Sequence, residues 1–272
     1  MISEYDLLIN FGKINVTENF QKLKEDINEL DLHSQLRANL ERMEIKNLDL
    51  FTKSLFRLMM DKKNIFIKTD KNITFEKNLS VLLPTIQKIL DRETLPSHSN
   101  NAISPFALIL GDKYKFVSEI QKIAKMLCHK TGIKISNNLE KQVVDERMVN
   151  TISSSDLLIT SLDVIQTLMR NKKIDFKHID NISINNFNDL QIWERKILYE
   201  MLQETKTTSQ YSIFYNKNSV NWLEIRKNFS EFFFFNYCLK DKLEKNCTDE
   251  VTKEVTVIKV GYFKNKSPCS FI

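Results

Sequence analysis

Apolar residues along the chain follow two patterns that alternate. Between residues 30 and 43, Leu32, Leu36, Leu40 and Met43 recur at helical spacing and predict one buried helix face. Leu48, Phe51, Leu55 and Leu58 predict a second. Ile65-Phe66-Ile67 is then a short continuous apolar run, predicted to be a buried strand. A third helix runs from Lys77 through Leu79, Leu82, Leu83, Ile86 and Ile89, and a loop with two prolines spans Asp91 to Pro105. Phe106 to Leu110, closed by Gly111, is the strongest strand signal, and Phe116, Ile120, Ile123 and Leu127 form the helix after it. Further strands are predicted at Gly132–Ile135, Leu157–Ile159, Ile182–Ile184 and Ser212–Phe214. Helices are predicted from Ser161 (Val164, Ile165, Leu168) and through Leu190, Trp193, Ile197 and Leu198.

Strands that are continuous apolar runs, with helices between them, predict a parallel sheet covered on both faces. In such folds ligands bind at the carboxyl ends of the strands. Here the loops near Lys68, Gly111, Thr160, Asn185 and Tyr215 are therefore the expected functional positions. Trp222, Ile225 and Phe229 predict one more helix, ending on Phe232 to Phe235. Four consecutive phenylalanines cannot all face inward on a helix, so part of that face is read as core and part as a candidate docking face. A last strand is predicted at Val255–Val260.

Composition narrows the function. In 272 residues, 42% apolar and 28% charged, there are only four glycines: Gly12, Gly111, Gly132 and Gly261. Average usage of ~7% would give about 19. Loops that cradle phosphate need glycine, because their N–H groups must converge on the anion without Cβ interference. The net charge of +5 permits an acidic or nucleic-acid partner without requiring one. Cys128, Cys238, Cys247 and Cys269 lack metal-type pairing, and Cys128-His129 has no second pair at zinc spacing. His33, His98 and His178 read as surface or capping residues. Ser153-Ser154-Ser155 reads as a polar lead into a strand. Cys269-Ser270-Phe271-Ile272 has only the outline of a prenylation box, with uncommon residues and no polybasic stretch before it. No apolar run approaches the ~20 residues of a membrane span. Glu4 and Asp6 argue against a secretory signal or presequence, so a cytoplasmic protein is expected, with the nucleus as the alternative.

The order of elements over residues 27–235 resembles the first RecA-like lobe of a DEAD-box RNA helicase. The family's Ala-Leu-Ile-Leu-Ala-Pro-Thr-Arg-Glu-Leu resembles Ala107 to Phe116 without a gap, and its Gln-x-x-x-Phe strand resembles Gln210 to Phe214. The resemblance implies a RecA-like α/β fold: an extension at 1–26, lobe 1 at 27–240, and a tail at 241–272 holding the first strand of a missing second lobe. It also implies which positions would bind nucleotide. The isolated aromatic falls on Ile27 and the adenine-reading glutamine on Thr52. The phosphate loop falls on Thr74-Phe75-Glu76-Lys77-Asn78, before Leu82-Leu83-Pro84, or alternatively on Thr69 to Thr74. The Asp-Glu-Ala-Asp motif falls on Asn185-Asn186-Phe187-Asn188, and Ser-Ala-Thr on Tyr215-Asn216-Lys217.

Of the phosphate-loop and metal residues only Lys77 matches. Asparagine offers neutral oxygens, which neither neutralise Mg²⁺ nor take a proton. The expectation is an inactive helicase-like lobe without cofactor or metal, serving as a scaffold in an RNA-handling assembly. A lone lobe could not perform the family's opening and closing cycle. The alternatives are an ATP-independent RNA-binding module or a truncated relic. Candidate RNA contacts are Lys113, Lys115, Arg170, Lys172 and Lys173; Asp112 and Asp163, in the first turns of their helices, oppose phosphate. Phe75, Tyr114, Phe187 and Tyr215 fall on the carboxyl edge, where they would either dock a protein or fill the collapsed nucleotide cleft.

Overall fold

The structure, a computed structural model, describes residues 30–69, 74–92, 103–111, 114–136, 152, 155–205, 208–215, 232–240 and 252–260; for Leu50, Thr74, Tyr114, Lys115 and the last two strands it describes the backbone alone. Helices α1 (Ser34–Arg42) and α2 (Leu50–Met60) lead into β1 (Ile65–Lys68). There follow α3 (Thr74–Leu90), β2 (Ala107–Gly111), α4 (Tyr114–Leu127), β3 (Leu157–Ser161), α5 (Leu162–Arg170) and β4 (Asn181–Ile184). A 3₁₀ turn (Phe187–Asp189), α6 (Ile192–Glu204), β5 (Gln210–Tyr215), β6 (Phe232–Lys240) and β7 (Thr252–Val260) complete the described chain.

The strands form one sheet in the order β3-β2-β4-β5-β1-β6-β7. Every pairing from β3 to β6 is parallel, and β7 alone runs antiparallel. Alternate strand residues face opposite layers. Ile65, Ile67, Ile109, Ile159 and Phe214 join the core built with α1 to α4. Phe66, Leu108, Leu158, Ile182, Ile213 and Tyr215 join the core built with α5 and α6. Both faces are covered, as continuous apolar strands require.

Four sequence-based expectations need correction. Phe232 to Phe235 do not end a helix; they begin β6, which lies parallel beside β1 with Phe233 opposite Ile65. Trp222, Ile225 and Phe229 lie outside the described residues. Gly132–Ile135 is not a strand: Ile135 makes a single bridge to Leu157. Trp193, expected inward, is 43% exposed, because Ile197, Leu198 and Met201 already fill the buried face of α6. Its indole N–H donates to Gln191 Oε1 at 2.7 Å instead. Finally, the strand expected to open a second lobe pairs with β6 across residues 252–260, so the sheet runs through the boundary placed at 240.

Scarce glycine shows at the helix ends. Glu44, Lys62, Lys130 and Lys172 each follow a helix in the left-handed region, at φ 60°, 56°, 57° and 51°. That conformation is usually left to glycine and costs an L-residue about 1 kcal/mol. Three of these ends close with both hydrogen bonds of the Schellman arrangement. After α1, Ile45 N donates to Leu40 O and Glu44 N to Glu41 O. After α2 the donors are Lys63 and Lys62, to Leu58 O and Met59 O; after α5 they are Lys173 and Lys172, to Leu168 O and Met169 O.

Candidate functional site

At the carboxyl edge, backbone bonds lock the strand ends together: Thr69 N donates to Tyr215 O at 3.1 Å and Asn185 N to Leu110 O at 2.9 Å. α3 starts from this edge. Lys77, in its first turns, extends toward the loop after β4, and its Nζ donates to Asn186 Oδ1 at 2.9 Å. The same ammonium lies 5.1 Å from the centre of the Phe214 ring. Asn186 precedes the 3₁₀ turn at φ 51°, a conformation that asparagine tolerates better than most residues. One neutral amide therefore joins the helix after β1 to the loop after β4.

Beside this bond is a cleft lined by Lys77, Asn78, Val81, Ile109, Phe116, Ser183, Asn185 and Phe214. Its free volume is ≈ 10 Å³, at the lower limit for a single water. Among the described residues, the side-chain oxygens of Ser183 and Asn185 have no hydrogen-bond partner. These two orphaned acceptors border the cleft and suit one bridging water.

The other expected positions are dispersed. Asn78 is buried within α3. Thr52 is fully buried in α2, its N–H capped by Asp49 Oδ1, so it is not placed to read a base from the surface. Asn188 is half-buried in the 3₁₀ turn. Ile27 and Lys113, together with the side chains of Tyr114 and Lys115, lie outside the described residues. Phe187 and Tyr215 are buried, with 3% and 2% exposure, and both belong to the core under α5 and α6. Arg195 sits 5.4 Å over the Phe187 ring. Of the described rings among these, Phe75 alone, 47% exposed, is available at the surface, so Phe187 and Tyr215 do not join it in a docking patch.

Arg170, Lys172 and Lys173 stand apart from this edge. α5 leaves the carboxyl edge at Leu162 and runs back, so these residues stand at the amino edge, where Lys173 O accepts from Ile103 N.

Sequence reasoning missed the Lys77–Asn186 bond, which spans 109 positions. It also missed the role of Phe116, whose ring closes the cleft; a phenylalanine five residues after Gly111 was its only trace. Among the described residues no group of three or more His, Cys, Asp or Glu side chains is placed to hold a metal ion, and no helix is long and apolar enough to cross a membrane.

Solved structures share this fold. The chain is similar to a DEAD box protein from the hyperthermophile Methanococcus jannaschii, with a TM-score of 0.65 and 14% identity, over 78% of this chain and 55% of that one. The fold is that of a DEAD-box helicase RecA-like lobe. The lobe is also similar to a hypothetical ATP-dependent RNA helicase from Sulfolobus tokodaii, with a TM-score of 0.57 and 11% identity, over 72% of this chain and 53% of that one. It therefore spans about half the length of either protein. No family model matches the lobe, and no curated protein does. At such identities the likeness establishes architecture and leaves activity to the residues of the site.

Proposed function

We propose that this chain is a helicase-like lobe that neither binds nor hydrolyses nucleotide and acts as a scaffold within an RNA-handling assembly. One observation carries the reading: the Lys77 ammonium is held by the amide of Asn186 and the ring of Phe214, and Lys77 and Asn186 are the positions onto which the resemblance maps the phosphate loop and the metal-binding motif. Phosphoryl transfer needs a lysine free to meet the phosphates, and carboxylates that hold Mg²⁺ and orient water. Asn185 and Asn186 supply no negative charge, and the adjoining cleft of ≈ 10 Å³ would have to open before any phosphate could enter. The residues present do not fit Mg²⁺-ATP. The RNA-handling context rests on the fold shared with RNA helicases.

The test is thermal unfolding with and without Mg²⁺-ATP. A ligand at a hundred times its Kd would add roughly 2.7 kcal/mol, an easily measured rise in Tm. No rise is expected, and no phosphate release above that of buffer. A clear upward shift that Lys77→Ala abolishes would overturn the reading.

A further inference from the structure

The two edges of the sheet differ in charge, and opposite to what the helicase likeness leads one to expect. At the carboxyl edge the described charges include Glu76, Asp163, Asp189 and Glu194 against Lys68, Lys77 and Arg195. Lys77 is engaged by Asn186, and Arg195 lies over Phe187. At the amino edge, where α2, α4 and α5 end, Lys62, Lys63, Lys130, Lys134, Arg170, Lys172 and Lys177 are all exposed and Lys173 is half-buried.

The acidic residues on that edge include Asp61, exposed beside Lys62, with Asp91, Asp156, Asp175 and Asp180; several accept hydrogen bonds from nearby N–H groups. The Asp156 carboxylate accepts from Lys134 N at 2.8 Å. Asp175 accepts from Lys177 N at 2.9 Å and pairs with His178 at 3.9 Å. Asp91 accepts from the Gln87 amide at 2.7 Å. Among the described residues, Lys62, Lys130, Arg170, Lys172 and Lys173 make no ion pair.

Basic residues at helix carboxyl ends have an ordinary explanation, since they complement the helix dipole. Here that need is already met inside each helix by a base in the last turn: Arg57 in α2, Lys125 in α4 and Arg170 in α5. Lys62, Lys130 and Lys172 come in addition, each in the left-handed conformation that glycine would adopt without strain. A strained backbone position that presents the same charge at three helix ends points to a use for that charge.

We propose that the amino edge of the sheet is a surface for the phosphodiester backbone of RNA, held by Lys62, Lys63, Lys130, Arg170, Lys172 and Lys173. Strands β3, β4 and β1, into which the three basic segments feed, are each two places apart in the sheet, about 10 Å by strand spacing. α2 and α4 pack on one face of the sheet and α5 on the other, so the three segments border this edge from both layers, and an RNA strand crossing the edge can reach all of them. The described residues of this edge include no exposed aromatic ring on which bases could stack. Recognition is consequently electrostatic and indifferent to sequence. The choice of RNA over other polyanions rests on the RNA-handling reading above, whereas the location of the surface stands on the charges alone.

The test is fluorescence anisotropy of a labelled mixed-sequence single-stranded RNA, with the full chain, across a salt series. Lys62→Glu, Lys130→Glu and Lys172→Glu are combined in one variant. Glutamate is compatible with the left-handed position, as Glu44 shows, and circular dichroism confirms the fold. The variant is expected to bind at least tenfold more weakly, with a slope of log K against log salt shallower by about 2 for three lost contacts. Lys113→Glu with Lys115→Glu is expected to leave binding within twofold. The proposal is overturned if that carboxyl-edge pair abolishes binding and the triple variant does not, or if the wild type binds no RNA even at low salt. It is also overturned if polyglutamate or a DNA strand of the same sequence displaces RNA at lower concentration than RNA itself. None of these results bears on the ATP experiment, so the two readings fail independently.

Discussion

The ring of Phe116 occupies the space that a side chain on residue 111 would need: a Cβ built on Gly111 would lie 2.0 Å from Phe116 Cδ1. The glycine at the end of β2 thus serves packing between strand and helix. Gly111→Ala is expected to cost about 1–3 kcal/mol through overpacking. Phe116→Leu in the same chain should recover part of that loss. Urea unfolding of the two single variants and the double measures the coupling; additive losses would show that the ring moves away freely.

Replacing residues of the left-handed helix ends by glycine removes their strain but adds freedom to the unfolded chain. The relief of strain outweighs the added freedom. Lys62→Gly, Lys130→Gly, Lys172→Gly and Glu44→Gly are each expected to stabilise by about 0.5–1 kcal/mol, or roughly 2 °C in Tm for a domain of this size. The three lysine variants should weaken RNA binding at the same time, and Glu44→Gly should not. Differential scanning calorimetry beside the anisotropy series separates the two effects.

Lys88 is half-buried where α3 ends, with its ammonium on Gln210 Oε1. Burial, then the charge of Lys62, lowers its pKa from 10.5 to about 8. The folded state therefore releases this proton earlier than the unfolded state does. Below pH 8 the burial penalty is present in full; between about pH 8 and 10.5 it is relieved, and stability rises with pH. Lys88→Met is expected to be more stable than wild type at pH 7 and to lose that advantage as pH passes 10. The difference between the two stability–pH curves is the measurement, since other lysines titrate alike in both.

Cys128 is buried, and desolvation first of all pushes its thiol up to about 12. A thiol with so little thiolate is a poor nucleophile. Native protein treated with iodoacetamide at pH 8 should leave Cys128 unlabelled by peptide mapping, and urea should expose it. Rapid labelling of the native chain would show that the end of α4 opens on the timescale of the reaction.

The fold was legible where one segment alone determines its burial. Ala107 to Leu110, Leu157 to Ile159 and Ile182 to Ile184 are buried on both faces, as strands of a parallel sheet covered by helices on both sides require. Phe232 to Phe235 were not legible in this way. Their neighbours repeat at helical spacing, and only the open side of β1 selects the extended form. Trp193 misled for another reason: a large ring at a helical position looks inward until the space beneath the helix is known to be full. In the site, the spacing of Lys77 and Asn186 placed each on its own loop. Neither the bond across 109 positions nor the burial of Phe187 and Tyr215 could be read from local pattern.

β6 touches β1 through only four of its nine residues, Phe233 to Asn236, while β7 pairs with it along the whole length. For anyone trimming this protein for expression, the place of the cut matters. A truncation at residue 240, where the helicase likeness would put the domain end, strips the outer partner from a strand that begins with four successive phenylalanines. It leaves a long row of unsatisfied amide and carbonyl groups, the template on which chains stack into fibrils. Ending the chain beyond Val260 keeps that template covered, so the shorter product should collect in inclusion bodies and the longer one should not.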